Sequence, residues 1–199
     1  MQPHQIGKAY DQIADLWDSD KFPNDNGISQ HSRAIAFTDR RGAALDVGCG
    51  WNGRIIDLLL EQGFSPEGID VSDEMITRAR KKYPDVTFYH ADVCSWQTTK
   101  RYDFITAWDS LWHVPLEDHE SVLKKLLSSL NPGGVFIFST GGLDEANEHT
   151  DDYMGPEVYY SALGIPKLLD VISESGCICR HLEYDQYPEL HLYLIVQKS

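Results

Sequence analysis

The sequence predicts an α/β protein with a doubly wound, mostly parallel sheet whose two faces are both covered by helices. Seven apolar stretches of strand length follow residue 43, most of them separated by segments with helical spacing of apolar residues. A glycine-rich turn, Gly48-Cys49-Gly50, joins the first of these strands to a helix. Gly63 and Gly176 stand where predicted helices end, as glycines at helix C-termini do. Strands that alternate with helices in this way are typical of parallel sheets.

The elements can be placed in order along the chain. Before the first strand, apolar residues at helical spacing predict two helices, at 5–18 and at about 29–40. The strands are expected at 43–47, 66–70, 86–90, 102–108, 133–140, 178–186 and 190–197. The later helices are expected at 53–62, 73–82, 117–130 and 157–175. Residues 141–157 are rich in turn formers and predict a long loop beside the ligand crevice, either solvated or gating the substrate pocket.

Length and composition limit the classes of function. A chain of 199 residues suits one domain, 1–199, with a short N-terminal helical cap at 1–40 and a core at 41–199. The net charge of −14 argues against a nucleic-acid partner, because phosphate binding needs a basic face. No apolar run approaches the roughly 18 residues of a membrane span, and no secretory signal is visible, so we expect a cytoplasmic protein without a membrane partner. The four cysteines lack paired metal-ligand spacing, which predicts free thiols and no metal site. The oligomeric state cannot be read from the sequence.

The glycine-rich turn predicts a binding site. Glycine allows positive φ and lets a ligand approach the backbone without meeting a Cβ atom. The helix that follows, with Ile55 and Ile56 in its first turn, directs its free N–H groups and positive dipole end at the same place. Asp70 closes the next strand and is placed to accept hydrogen bonds from ribose hydroxyls. A nucleoside cofactor is therefore expected across these strand ends.

Five segments in this order resemble the class I S-adenosylmethionine-dependent methyltransferases over roughly residues 40–140. They are the glycine-rich first motif from Leu45 to Gly50, the acid Asp70, the loop Ala91-Asp92-Val93, the fourth strand Tyr102–Trp108, and the turn Leu130–Gly134 into the fifth strand. One glycine motif alone is weak evidence, whereas five elements in register are strong evidence. One departure is that Asn52 stands where the third glycine is usual, followed by Gly53. Asparagine tolerates the left-handed region, so we expect a slightly reshaped loop.

The resemblance implies a seven-stranded sheet with an antiparallel last strand, S-adenosyl-L-methionine as cofactor and a small-molecule methyl acceptor. It assigns ribose binding to Asp70, the amino-acid end of the cofactor to Asp46, and the adenine to Asp92 and Val93. It places Arg33 near the cofactor carboxylate and Trp17 near the methionine end. The residues expected at the cofactor are Trp17, Arg33, Asp46, Gly48, Cys49, Gly50, Asn52, Asp70, Val71, Asp92, Val93 and Trp108.

His113 and Asp109 are the candidate catalytic residues, because they follow the fourth strand, where the family places residues that touch donor and acceptor. A histidine near neutral pH can accept a proton from an acceptor group. The alternative for His113 is a histidine packed and hydrogen-bonded under the cofactor, and for Asp109 it is a helix cap. His181 and His191, in the predicted C-terminal strand pair, are interpreted as structural.

Three functions remain open at this point. The first is methyl transfer to a small molecule, and the second is a non-catalytic S-adenosylmethionine-binding regulator or partner protein. The third, a nicotinamide-dependent oxidoreductase, fits less well because the Asp92-Val93 loop and the Asn131-Pro132-Gly133-Gly134 turn resemble the methyltransferase pattern. No sequence feature separates the enzyme from the binder.

Overall fold

A computed structural model describes residues 1–18, 23 and 25–199, with only the backbone described at residue 18. The large sheet consists of seven strands, β1 (Ala43–Val47), β2 (Ser65–Asp70), β3 (Thr87–His90), β4 (Tyr102–Ala107), β5 (Leu130–Gly141), β8 (Cys177–Tyr184) and β9 (His191–Lys198). Their order across the sheet is β3-β2-β1-β4-β5-β9-β8. The first five pair in parallel, and β9 runs antiparallel to both neighbours. This confirms the predicted seven-stranded sheet with an antiparallel last strand.

Helices cover both faces of the sheet, because its central strands are apolar on both sides. All six residues of β4 are buried, and neighbours such as Phe104 and Ile105 point into different cores. Those two cores are closed by helices on opposite sides, as expected for strands buried on both faces. The helices are α1 (Pro3–Ile13), α2 (Ile28–Ile35), α3 (Arg54–Glu61), α4 (Asp73–Lys82), α5 (His119–Ser128) and α6 (Ile165–Glu174).

The N-terminal helices are shorter than predicted. Helix α1 ends at Ile13 and continues only as a 3-10 turn, Ala14–Asp18. Helix α2 ends at Ile35 rather than near residue 40, and Thr38 N–H already bonds to the Ile35 carbonyl in a tightened last turn. Among residues 36–41 only Thr38 is buried, so a further helical turn would cover little apolar surface. The division into a 1–40 cap and a 41–199 core stays a prediction.

The predictions for residues 141–164 are wrong in part. The expected loop contains β6 (Asn147–Asp151), and the expected helix start is β7 (Val158–Ala162), which pairs with β6 in a separate antiparallel hairpin. Val158 and Tyr159 are buried against α1. The helix begins only at Ile165, after Gly164 at φ 80° and with Pro166 in its first turn. Tyrosine and valine favour strands, so the local signal was present and was outweighed by the apparent helical spacing.

Every helix in the described part of the chain is too short or too polar to span a bilayer.

Candidate functional site

Two adjoining cavities lie at the carboxyl ends of β1, β2 and β4. Strand order reverses between β1 and β4, and open α/β sheets bind ligands at such a point. The larger cavity, of about 630 Å³, lies over the glycine turn, and the smaller, of about 100 Å³, lies towards β2 and the 91–94 loop. Both cavities are lined by Tyr10, Gly48, Asp70 and Asp109. A single extended ligand can therefore occupy both.

The glycine turn keeps the backbone open to the larger cavity. Gly48 and Gly50 have φ of 69° and 54°, and Gly53 at 73° precedes α3. A Cβ atom on Gly48 would lie 2.3 Å from the Ser110 Cβ, whereas one on Gly50 would meet nothing within 4 Å. The loop accommodates Asn52, which replaces the usual third glycine, differently from our expectation. Gly53, not Asn52, takes the left-handed conformation, and the Asn52 Oδ1 accepts a hydrogen bond from the Arg54 N–H at 3.3 Å.

The Asp70 carboxylate ties the glycine turn to the end of β2. Its Oδ2 accepts from the Gly50 N–H at 2.9 Å, and its Oδ1 accepts from the Ser72 N–H at 2.9 Å. Burial raises the pKa of Asp70, and the backbone N–H groups oppose that rise. The carboxylate is thus fixed at the junction of the two cavities.

Asp46 is a buried carboxylate that faces the larger cavity. The residue is 4% exposed, and its side chain makes no hydrogen bond with any residue in the described part of the chain. Burial raises its pKa to about 7, the Arg54 guanidinium opposes the rise and the Asp70 carboxylate adds to it. A cationic group in the cavity would supply the partner that the protein does not.

Asp46→Asn is expected to stabilise the protein, and more at pH 8 than at pH 5. Because folding raises the pKa of Asp46 from 3.8 to about 7, the folded state keeps a proton that the unfolded state loses. Stability contributed by this group therefore falls as the pH rises from about 4 to 7, by a total on the order of 4 kcal/mol. Urea unfolding of both proteins at the two pH values measures the difference, with Asp170→Asn on the exposed side of α6 as the control. An equal effect of Asp46→Asn at both pH values would contradict the prediction.

The smaller cavity has mostly apolar walls with an acid at its edge. Val71, Asp92 and Val93 all line it, as do Ile6 and Leu111 from the opposite side. The Asp92 Oδ1 accepts from the Cys94 N–H at 2.8 Å, which fixes the loop. A flat apolar ring with polar edges would fit this geometry.

Asp109 is held in a strained conformation at the edge of both cavities. Among the described residues it is the only non-glycine residue with positive φ, at 54°. Its Oδ2 accepts from Asn26 Nδ2 at 3.0 Å, and its Oδ1 accepts from the Ser139 hydroxyl at 3.2 Å and from His191 Nε2 at 2.9 Å. Strain of this kind persists where surrounding contacts over-determine it, often at functional sites.

His191 links two carboxylates and is the main site residue that sequence analysis missed. Its Nε2 bonds to Asp109 and its Nδ1 bonds to Asp185 Oδ1 at 2.5 Å, so both ring nitrogens donate and the ring is an imidazolium. Burial alone would lower the pKa of His191, but the hydrogen bonds and charges of Asp109 and Asp185 outweigh it and raise the pKa. The interpretation of His191 as purely structural is therefore not supported by its position in the larger cavity.

His113 is neutral and fully engaged by neighbouring groups. Its Nδ1 lies 2.8 Å from the Tyr159 carbonyl and must donate to it. Its Nε2 accepts from Trp112 Nε1–H at 3.0 Å and from the Tyr10 hydroxyl at 2.7 Å. Burial lowers the pKa of His113 to about 4. Both ring nitrogens are thus hydrogen-bonded within the protein. This geometry agrees with the alternative in which His113 is a packed, hydrogen-bonded histidine and not a base.

The remaining predicted residues differ in where they lie. Trp17 and Trp108 line the larger cavity together with Cys49 and Asn52. Arg33 lines neither cavity and pairs with Glu183 at 2.6 Å, close to His181. Arg33 therefore does not lie at the predicted site for the cofactor carboxylate, because it pairs with Glu183 on β8. Arg54, which sequence analysis did not single out, also lines the larger cavity.

Comparisons with known proteins agree with this geometry. Residues 27–187 match the family described as a methyltransferase domain. A trans-aconitate 2-methyltransferase of Escherichia coli (strain 55989 / EAEC) is 34% identical over 164 residues, covering 72% of this chain and 60% of that protein. The chain thus spans less than two thirds of the length of that curated relative.

Two solved structures share the fold over nearly their whole length. One is an S-adenosylmethionine-dependent methyltransferase from Clostridium acetobutylicum ATCC 824, with a TM-score of 0.73, 15% identity and 98% of each chain covered. The other is magnesium protoporphyrin IX methyltransferase from Synechocystis PCC 6803 with bound S-adenosylmethionine, with a TM-score of 0.73 and 16% identity. It covers 100% of this chain and 98% of that one.

Proposed function

Because the chain belongs to the methyltransferase-domain family of class I S-adenosylmethionine-dependent methyltransferases, we propose that it transfers a methyl group from S-adenosylmethionine to a small molecule. The observation that carries the proposal is the pair of cavities joined at Asp70, with the open glycine turn beneath the larger one. The N-terminal cap and the hairpin of β6 and β7 border these cavities through Tyr10, Met154 and Tyr160. A compact acceptor suits the space they leave.

The residues present fit this cofactor on three counts. A Cβ atom at Gly50 would meet nothing within 4 Å, so the space beside its backbone is open to a ligand. Asp46 is a buried carboxylate without a hydrogen-bond partner among the described residues, which matches a cationic amino group. The smaller cavity offers Val71 and Val93 as walls for an adenine ring and Asp92 at its edge.

The proposed roles follow from these positions. Asp70 would accept from ribose hydroxyls at the junction, and Asp46 would hold the amino group of the methionine end, with Arg54 close by for the carboxylate. The cofactor, when bound, supplies an electrophilic methyl group on a sulfonium. The protein's contribution is to hold the acceptor in line with that methyl group and to exclude water, which can account for much of the acceleration. A base is needed only where the acceptor must lose a proton.

The acceptor itself is a matter for direct test. The curated relative is named for trans-aconitate, an organic acid, and the cavity between Trp108, Trp112 and Tyr160 is the space where an acceptor would lie. We propose a small-molecule acceptor bound there and no nucleic-acid substrate, in keeping with the net charge of −14.

The experiment that tests the proposal has two stages. Calorimetry with S-adenosylmethionine and with S-adenosylhomocysteine should give saturable binding at one site per chain. Incubation with S-adenosylmethionine and pooled metabolites, including trans-aconitate, should then give a product heavier by one methyl group in mass spectrometry. No cofactor binding would overturn the proposal, whereas binding without turnover on any pool would favour the non-catalytic alternative.

A further inference from the structure

Acidic side chains outnumber basic ones in the lining of the larger cavity. Among the described residues that line it, five are aspartates, two of which, Asp46 and Asp70, stand at the cofactor motif, and Arg54 is the one Lys or Arg. Arg54 stands beside Asp46 on the glycine-turn side, and its Nε donates to the Asn26 carbonyl at 2.8 Å. An anionic acceptor would therefore meet carboxylates on the side away from the cofactor motif.

On that side Asp109, His191 and Asp185 form a connected row, which we call the acid–imidazole row. With His191 protonated between two carboxylates, the row carries one net negative charge. The side chains of His191 and Asp185 are 9% and 6% exposed, whereas that of Asp109 is 29% exposed. Asp109 is thus the member that a ligand can reach. Gln30 closes the far end by donating to Asp185 Oδ2 at 2.6 Å.

Aromatic rings surround the same space. The rings of Trp108 and Trp112 lie 5.5 Å and 5.6 Å from the His191 ring, and both tryptophans line the cavity with Tyr10 and Tyr160. Electron-rich faces next to a carboxylate attract organic cations, which bind them better than hydrated inorganic ions do.

We propose that the methyl acceptor is a small organic amine, held as its ammonium form by Asp109 within this aromatic enclosure. The inference rests on the proposed function and names the acceptor class for it. His191 and Asp185 act as positioning residues, because His191 donates to the Asp109 Oδ1 and Asp185 holds His191 in turn, while the Asp109 side chain stays 29% exposed.

The chemistry balances for such an acceptor. The ammonium gives up one proton, which Asp109 is placed to receive and pass to solvent. The nitrogen lone pair then forms the C–N bond while the C–S bond of the methyl donor breaks, with its electron pair kept by sulfur. Loss of the proton is required because a protonated amine has no lone pair for the attack.

The test compares two probes of matched size and opposite charge on the protein saturated with S-adenosylhomocysteine. Calorimetry should give a dissociation constant for phenethylamine at least about tenfold below that for 3-phenylpropanoate, since one charge is exchanged for its opposite near Asp109. Asp109→Asn removes the charge, and asparagine tolerates the positive φ, so the fold should persist. In that variant the preference should shrink at least about fivefold with S-adenosylhomocysteine affinity changed less than about threefold. Asp170→Asn, on the exposed side of α6, should leave the preference unchanged.

The outcomes of this test separate the amine inference from the proposed function on which it rests. Equal or tighter binding of 3-phenylpropanoate, no saturable binding of the amine, or a preference that survives Asp109→Asn would overturn the amine inference alone. Failure of S-adenosylhomocysteine to bind in the first titration would instead overturn the proposed function. If pooled amines but not pooled carboxylic acids gain one methyl group from S-adenosylmethionine, both ideas are supported.

Discussion

Replacing Asp70 by alanine is expected to weaken S-adenosylmethionine binding about tenfold or more. Asp70 lines both cavities, and under the proposed function its carboxylate accepts hydrogen bonds from ribose hydroxyls. Hydrogen bonds to a charged acceptor contribute about 1.5–3 kcal/mol each before water compensates, and 1.4 kcal/mol corresponds to about a factor of ten. Calorimetry at fixed salt measures the change.

The same substitution also releases the glycine turn, so the fold must be checked beside the affinity. The Gly50 and Ser72 N–H groups lose their acceptor in Asp70→Ala, and a lower melting temperature is expected. Asp73→Ala is the matched control, because Asp73 carries the same charge three residues away with its side chain 73% exposed. Unchanged affinity in a folded Asp70→Ala protein would remove Asp70 from the cofactor site.

The parts of the fold that the sequence predicted well are those where local signals agree with the tertiary structure. Strand β1 and helix α4 lie at the predicted residues, 43–47 and 73–82. In α4, Ser72 accepts from the Met75 N–H, acidic residues occupy the first turn and basic residues the last. Each of these features is readable from neighbouring letters of the sequence.

In the hairpin of β6 and β7, the local sequence signals do not agree with the tertiary structure. Strand β6 is polar and mostly exposed, so it shows no alternation of apolar residues. It exists because its backbone pairs with β7, from Asn147 opposite Ala162 to Asp151 opposite Val158. Pairing between strands is a non-local property, and propensity in one strand does not reveal it.

The residues of the candidate site also fall into two groups, those that a local motif identifies and those that only strand pairing brings into place. Gly48, Gly50 and Asp70 belong to a motif with fixed spacing and could be placed from the sequence. His191 reaches Asp109 only because β9 pairs antiparallel with β5, which sets His191 opposite Gly141. Arg33 was misplaced for the same reason, since its partner Glu183 lies 150 residues away on β8. Contacts at such separations depend on strand register, which the sequence pattern did not supply.

His113→Ala is expected to lower stability and cofactor affinity together. The substitution leaves three groups without their partner: the Tyr159 carbonyl, the Trp112 N–H and the Tyr10 hydroxyl. A buried polar group left unsatisfied costs about 1–3 kcal/mol, so the free energy of unfolding should fall by about 2–4 kcal/mol after partial relaxation. Tyr10 lines both cavities, and its release should weaken S-adenosylmethionine binding as well.

A catalytic base at this position would give a different result. Loss of a positioned base lowers turnover by about 10²–10⁴-fold while the affinity for the cofactor stays nearly intact. The Nε2 lone pair of His113 already accepts two hydrogen bonds, and burial holds its pKa at about 4, so proton uptake near neutral pH is disfavoured. Tyr10→Phe separates the two ideas further, because it removes one of the two hydrogen bonds to His113 Nε2 and leaves the imidazole in place, and it should reproduce part of the affinity loss.

Three measurements on each variant decide the role of His113: urea unfolding, calorimetry with S-adenosylmethionine, and turnover once an acceptor is known. His4→Ala, an exposed histidine on α1, should leave all three unchanged and serves as the control. Normal stability and affinity with turnover reduced a hundredfold or more would restore His113 as the base. Coupled loss of stability and affinity would instead make His113 a positioning residue for Tyr10, because the imidazole then acts through the groups that it holds and not on the acceptor.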